Sequence, residues 1–252
     1  PAVQGRKWRM RSPESVVDEL AWLTNRLEVN AILFRDPEFA LQRDRVVGIC
    51  EDIIKRGLRI GWRCETRMED LDEDLVELMA KAGCLGINMG VESADAKVLQ
   101  NVKRRAISFE KTERVIKSCK KNSIETFCFF ILGLPGETKQ SALKTIDYAL
   151  RLNSNFAQFA VATAYPGTKL RKWAAEKGYI KNEMLNLITG YDAAMCNEHM
   201  SVEEIKWLQQ YANEALSMQW HKVAGRLWRN FRDIAAEIKR VIVFQGTRSW
   251  RH

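Results

Sequence analysis

No two cysteines in this chain of 252 residues fall within four positions of each other. Cys50, Cys64, Cys84, Cys119, Cys128 and Cys196 are scattered along it, which excludes the short-spaced thiolate sets that ligate zinc or iron from this sequence. The scatter predicts buried thiols in a reducing cytosol rather than a disulfide framework. Histidine is scarce too. His199, His221 and His252 lie near no other ligand-type residues and read as surface positions, not metal ligands. No stretch reaches about 18 uninterrupted apolar residues, so no transmembrane helix is expected, and the basic opening carries no apolar h-region. There is no repeat and no low-complexity segment.

Apolar residues make up 46% of the chain, which is long enough for one α/β domain with a full core plus an appendage. The net charge of +8 is concentrated at the ends. Arg6 to Arg11 holds four basic residues and no acid, and Trp220 to His252 holds eight Lys or Arg against two acids. Such ends suit nucleic acid, an acidic membrane surface, or a solvated face beside a neighbouring domain.

Ser12-Pro13-Glu14 starts a helix with a hydroxyl N-cap, proline at N1 and an acid in the first turn. Val16, Val17, Leu20, Leu23 and Leu27 follow at helical spacing. Short apolar runs at 31–34, 59–64, 85–91, 126–132 and 156–163 read as strands, each followed by a helical pattern. The run from Thr126 to Leu132 has almost no polar residue, as expected where both faces are covered. Strands alternating with helices over short connections predict a parallel sheet with helices outside. Residues 181–200 have no clear period and mark a boundary, dividing a domain over 1–180 from a linker and helical extension over 181–252. Ser201-Val202-Glu203-Glu204 is a capping box. It opens a helix with Ile205, Leu208, Ala212, Leu216 and Trp220 at helical spacing.

Glycines recur just past three of the strands: Gly86-Ile87-Asn88-Met89-Gly90-Val91-Glu92-Ser93, then Gly133-Leu134-Pro135-Gly136-Glu137-Thr138, then Tyr165-Pro166-Gly167-Thr168. Glycines there let a ligand approach the backbone closely. Three such ends in consecutive βα units point to one shared site at the carboxyl edge of the sheet.

Those motifs, in that order, resemble the radical S-adenosylmethionine (SAM) enzymes. The stretches Gly5-Arg6-Lys7-Trp8-Arg9-Met10-Arg11-Ser12-Pro13-Glu14-Ser15, Trp62-Arg63-Cys64-Glu65-Thr66-Arg67 and Gly90-Val91-Glu92-Ser93 are similar to the cobalamin-dependent subgroup that includes magnesium-protoporphyrin ester cyclase-type proteins. The resemblance runs from about Gly5 to about Ile180. It implies a partial (β/α)6 TIM-type barrel, here lacking its first strand. The family's C-x3-C-x2-C signature, which holds a 4Fe-4S cluster, does not occur in this sequence. The resemblance places that loop just ahead of Pro1, so these 252 residues alone are expected to hold no cluster and to be inactive. With the cluster, the implied chemistry is reductive cleavage of SAM to a 5′-deoxyadenosyl radical that abstracts hydrogen, with cobalamin-dependent methylation or cyclisation as its outcome.

Site residues follow from the same resemblance. Glu92 and Ser93 would meet the ribose or methionine part of SAM, the alternative for Glu92 being a cap on the next helix. The turn Gly133, Pro135 and Gly136 would lie beside the adenine, its backbone groups reading the base edge, the alternative being an ordinary turn into a helix, with Glu137 serving the next helix N-terminus. Tyr165, Pro166 and Gly167 would flank the adenine, Tyr165 stacking on a base, lining the substrate cavity or simply packing in the core. Asp36 would hold the SAM amino group and Arg104 its carboxylate, unless Arg104 is solvated charge. Arg63, Glu65 and Arg67 alternate on one face of a strand; they form a buried ion network under the site or bind the carboxylate of SAM or of a substrate.

Three functions fit at this point: a radical SAM enzyme core, a non-catalytic SAM-like binding module, and a methylthiotransferase-like RNA-modifying enzyme. The helical pattern from Ser201 onward argues against the last. An upstream cobalamin-binding domain, a small-molecule, lipid or tetrapyrrole-like substrate and a cytoplasmic location are expected. Trp220, Trp228 and Phe231, interleaved with basic residues, also suit peripheral membrane association.

Overall fold

The computed structural model of this chain describes residues 9–103, 108–181 and 195–218. Five parallel strands lie side by side in chain order, β1 (Ala31–Leu33), β2 (Gly61–Arg67), β3 (Cys84–Glu92), β4 (Glu125–Leu132) and β5 (Phe156–Val161). Helix α1 (Pro13–Leu27) precedes them, and α2 (Arg43–Lys55), α3 (Glu73–Lys81), α4 (Ala96–Asn101), α5 (Phe109–Lys121) and α6 (Lys139–Leu152) fill the crossovers. Helix α7 (Lys169–Glu176) follows β5. This is an α/β half-barrel: the alternating pattern predicted its parallel sheet with helices outside, and the family resemblance implied the partial TIM-type architecture. A further helix, α8, spans 202–218.

Local chemistry explains the boundaries. Ser12 caps α1, accepting the Ser15 N–H at 3.2 Å, with Pro13 at N1. Asp72, Asp95, Ser108, Thr138 and Thr168 each cap the helix that follows them. At α8 the Ser201–Glu204 capping box closes both ways, at 2.9 and 3.2 Å.

Side chains alternate along each strand. Trp62, Cys64 and Thr66 of β2, Ile87 and Met89 of β3, Cys128 and Phe130 of β4, and Phe159 of β5 are buried. They form the core with inward rows such as Val46, Ile49 and Ile53 of α2 and Leu75, Val76 and Met79 of α3. Trp62 donates its Nε1–H to the Ala82 carbonyl at 2.7 Å, so the ring is both packed and satisfied.

The other face is not sealed. Phe127, Phe129 and Ile131 are half-buried, so β4 is covered fully on one side only, contrary to the expectation for that apolar run. Five strands curve part of the way round and leave a concave face open, where Phe127 stacks on Phe156 at 5.4 Å and packs against Phe129 at 5.0 Å.

The chain divides into two compact units, residues 1–210 and 211–252. Of the second, only the end of α8 falls among the described residues, so the expected appendage around Trp220, Trp228 and Phe231 lies outside them. The described residues include no helix long and apolar enough to cross a membrane.

Candidate functional site

The carboxyl edge of β3 is irregular. Its register with β4 shifts between Gly90 and Glu92. Glu92 itself sits at φ 66°, a left-handed conformation that is uncommon for a residue with a side chain. A bulge of this kind re-aims a strand's last side chain. Here it sets Glu92 on the wall of a cavity of about 720 Å3. Ile131, Leu134 and Pro135 from the end of β4, Leu170 and Trp173 from α7, and Asn101 and Val102 from the end of α4 make most of the remaining wall. Lys103, Lys169 and Glu198 add charge. The volume and the mixture of apolar wall with a few polar groups are those of a small-molecule site.

The turn over Gly133–Gly136 is held by this chain's own side chains. Glu137 accepts the Gly133 N–H at 2.6 Å, and Glu198 accepts that of Gly136 at 2.9 Å. Asn197 donates to the carbonyls of Leu134 and Glu137 at 2.9 and 3.0 Å, and Asn101 to that of Pro135 at 3.0 Å. Much of the backbone expected to read a base edge is therefore already engaged. Pro135 and Leu134 reach the cavity as apolar wall instead.

Glu137 does not serve the helix N-terminus, as the sequence suggested; Thr138 caps α6. Glu137 folds back under the turn and is completely buried. Desolvation raises its pKa to about 8 against the pull of the Gly133 and Leu134 backbone, and Asp95 adds to the rise. It is largely a neutral acid at pH 7.

Other expected site residues fall apart from this cavity. Ser93 is buried and turned toward α6, with its hydroxyl 3.2 Å from that of Thr145 and receiving the Asp95 N–H at 3.1 Å. Asp36, beyond the end of β1, lies 3.8 Å from the buried guanidinium of Arg45. Arg63 pairs with Glu125 at the amino end of β4, and Arg67 pairs with Glu38. Arg63 reaches Glu125 by passing over Gly86, where an added Cβ would strike its guanidinium. Gly86 thus makes room for a neighbouring side chain, and Arg63 and Arg67 sit in two separate, partly exposed ion pairs rather than in one buried network. Glu65 sits between them on the concave face, beside Asn88. Tyr165, Pro166 and Gly167 form an exposed turn in which the Tyr165 carbonyl accepts from Thr168, the cap of α7. They act on the cavity by launching the helix that supplies Leu170 and Trp173. Arg104 lies outside the described residues; its neighbour Lys103 lines the cavity.

Trp173, Asn101, Asn197 and Glu198 escaped sequence reasoning. Trp173 had a signal, being five residues past the last cap on a helix leaving the sheet edge. Asn197 and Glu198 had none, because they sit in an aperiodic stretch that contacts the turn some 60 residues away in sequence (Asn197 to Glu137).

A 4Fe-4S cluster does not fit the cysteines present. All six are free and five are buried. Burial pushes the thiols of Cys50, Cys119 and Cys128 up to about 12 and holds that of Cys64 well above its usual range, with the Cys84 hydrogen bond as the largest cause for Cys64. Among the described residues, no three His, Cys, Asp or Glu side chains are grouped to hold a metal. Thiols kept neutral in an apolar layer are poor metal ligands.

The structure is thus an α/β half-barrel with a bulged acidic strand end, a proline-glycine turn and a largely apolar cavity of small-molecule size at its carboxyl edge. The chain belongs to the radical SAM superfamily, whose family model matches residues 2–149. An uncharacterised methyltransferase of Pyrococcus horikoshii is 31% identical over 208 residues, covering 82% of this chain and 45% of that protein. The anaerobic magnesium-protoporphyrin IX monomethyl ester cyclase of Rubrivivax gelatinosus is 32% identical over 187 residues, covering 73% and 34%. Among solved structures, the radical SAM methyltransferase TsrM of Kitasatospora setae, with cobalamin and a 4Fe-4S cluster bound, superposes with a TM-score of 0.62. It is 25% identical, over 67% of this chain and 32% of that one. This chain spans less than half the length of each of these relatives.

Proposed function

We propose that this chain is the SAM-binding core of a radical SAM enzyme, acting with a 4Fe-4S cluster held by cysteines outside this sequence. The observation that carries this reading is Glu92, kept in a left-handed conformation on the cavity wall. Strain of roughly 1–3 kcal/mol persists where surrounding structure enforces it, commonly at ligand sites. The Glu92 carboxylate suits the two hydroxyls of a ribose. Ile131, Leu134, Pro135 and Trp173 offer flat apolar wall to a base, and Lys103 and Lys169 offer charge to a carboxylate. Bound SAM supplies the hydrogen-abstracting deoxyadenosyl group or a methyl group; the chain's own residues bind it, orient it and exclude water.

The substrate is a small molecule, and the longer protein carries a cobalamin-binding domain and performs methyl transfer or cyclisation. The magnesium-protoporphyrin cyclase and cobalamin-bound TsrM among the relatives support this. Anaerobic incubation of the cluster-bearing protein with SAM and a strong reductant is the test. Formation of 5′-deoxyadenosine or S-adenosylhomocysteine, lost in Glu92→Ala, is expected. SAM bound but uncleaved under those conditions would turn the site into a binding module.

A further inference from the structure

The segment 195–200 lies beyond the residues of the family match, yet it completes the cavity. Asn197 is 5% exposed and uses both ends of its amide. Its Nδ2 donates to the Leu134 and Glu137 carbonyls, and its Oδ1 accepts the N–H groups of His199 and Met200 at 2.9 and 2.8 Å. That double clamp fixes the neighbouring residue, Glu198, against the turn. One Glu198 oxygen, Oε2, takes the Gly136 N–H, and the side chain lines the cavity. A carboxylate has about four lone-pair sites, so one N–H leaves acceptor capacity for a ligand.

Resting on the SAM reading above, we propose that Glu198 is a specificity residue, accepting a hydrogen bond from the 6-amino group of the adenine, and that Asn197 is the positioning residue that holds it there. The apolar wall of Leu134, Pro135, Ile131 and Trp173 takes the faces of a flat base and leaves its edge to the polar groups beside the turn. A carboxylate accepts and does not donate when ionised. It therefore favours a purine carrying an amino group at carbon 6 and repels one carrying a carbonyl there. Glu198 is exposed at the cavity rim, so the discrimination expected is that of one charge-assisted hydrogen bond rather than of a buried unpaired group.

The test is calorimetric titration of the chain with 5′-methylthioadenosine and 5′-methylthioinosine, which share ribose and sulfur, differ at carbon 6 and need no cluster. The wild type is expected to prefer the adenine compound by about tenfold or more. Glu198→Ala should remove that preference. Glu198→Gln should shift it toward the inosine compound, because an amide can donate to the carbonyl. Asn197→Ala should weaken the preference, whereas a merely structural role would lower affinity for both compounds equally. A wild type that binds both equally, or a Glu198→Gln that keeps the wild-type preference, would overturn the assignment to Glu198 alone. Binding of neither compound to the wild type would overturn the SAM reading and this assignment with it.

Discussion

Glu137 accepts the backbone N–H of Gly133, four residues before it, at 2.6 Å, from a position with no solvent exposure. Only one of its oxygens is used this way; Oε1 is buried with no hydrogen-bond partner. Desolvation of this buried carboxyl outweighs the pull of the Gly133 and Leu134 backbone, which is why its pKa rises to about 8.

This makes folding stability depend on pH in a stated direction. In the unfolded chain Glu137 ionises near the usual carboxylate value; in the folded chain it stays protonated to about pH 8. Between those values the folded state binds the extra proton, so stability is highest below the unfolded pKa and falls as pH rises toward 8. The loss attributable to Glu137 should be several kcal/mol, on the order of 3–5. Urea denaturation at pH 5, 6.5 and 8 would show it as a slope that Glu137→Gln removes. Parallel pH profiles for wild type and variant would sink the idea.

At Glu92 backbone and side chain make opposite demands. Replacing it with glycine removes the carboxylate but relieves the left-handed strain, since glycine adopts φ 66° freely. Glu92→Gly should be at least as stable as wild type, while Glu92→Ala keeps the strain and gains nothing. Both should lose about ten- to a hundredfold in SAM affinity, the worth of a charge-assisted pair of hydrogen bonds. Thermal melts set beside SAM titrations on the same preparations check this. A Glu92→Gly variant less stable than Glu92→Ala would show that the left-handed geometry carries no strain.

Gly83 closes α3 and leads into β3 at φ +92°. A Cβ there would run into the Ile60 carbonyl oxygen, which belongs to the backbone and has little freedom to move. Gly83→Ala should therefore cost more than about 2 kcal/mol, combining a forbidden φ with a steric clash. Gly57→Ala is the control: its φ of +61° imposes strain, but nothing lies within 4 Å. Equal destabilisation of the two variants would show that the clash with Ile60 is relieved.

The alternating parallel architecture was legible because period and punctuation agreed: five apolar runs, glycine stops and polar caps fell near the ends of the elements, though β2 runs three residues past the run at 59–64, and the barrel form came from the family resemblance. Glu92 and the Pro135 turn were legible for a related reason, since strand ends with glycines mark close backbone approach. Arg63 was legible only in part: period two fixed its face and left ion pairing open, but not which partner it meets or how exposed the pair is, and Glu125 holds it at the amino end of β4. Glu137 misled because an acid before a helix has a stock role, and only the tertiary path of the turn shows it folding inward. Asn197 and Glu198 were invisible, since what they do depends on contacts more than 60 residues distant in sequence, such as that from Glu198 to Gly136.

The cysteines give the last expectation. Cys50, Cys64, Cys84 and Cys119 are buried close to one another, and burial holds the thiols of Cys50, Cys64 and Cys119 well above their usual range, with the Cys84 hydrogen bond the largest cause for Cys64. A 4Fe-4S cluster needs thiolates that converge and can ionise, and with pKa values near 12 for Cys50 and Cys119 almost none of either thiol is ionised at pH 7. Anaerobic reconstitution of these 252 residues with iron and sulfide should leave far less than one cluster per chain, by iron analysis and by electron paramagnetic resonance after reduction. On the proposed reading, a longer form of the protein that carries a C-x3-C-x2-C loop should load one under the same treatment. Stoichiometric iron on the 252 residues alone, abolished by Cys64→Ala, would mean that the buried thiols rearrange to bind metal and that the cluster need not be held elsewhere.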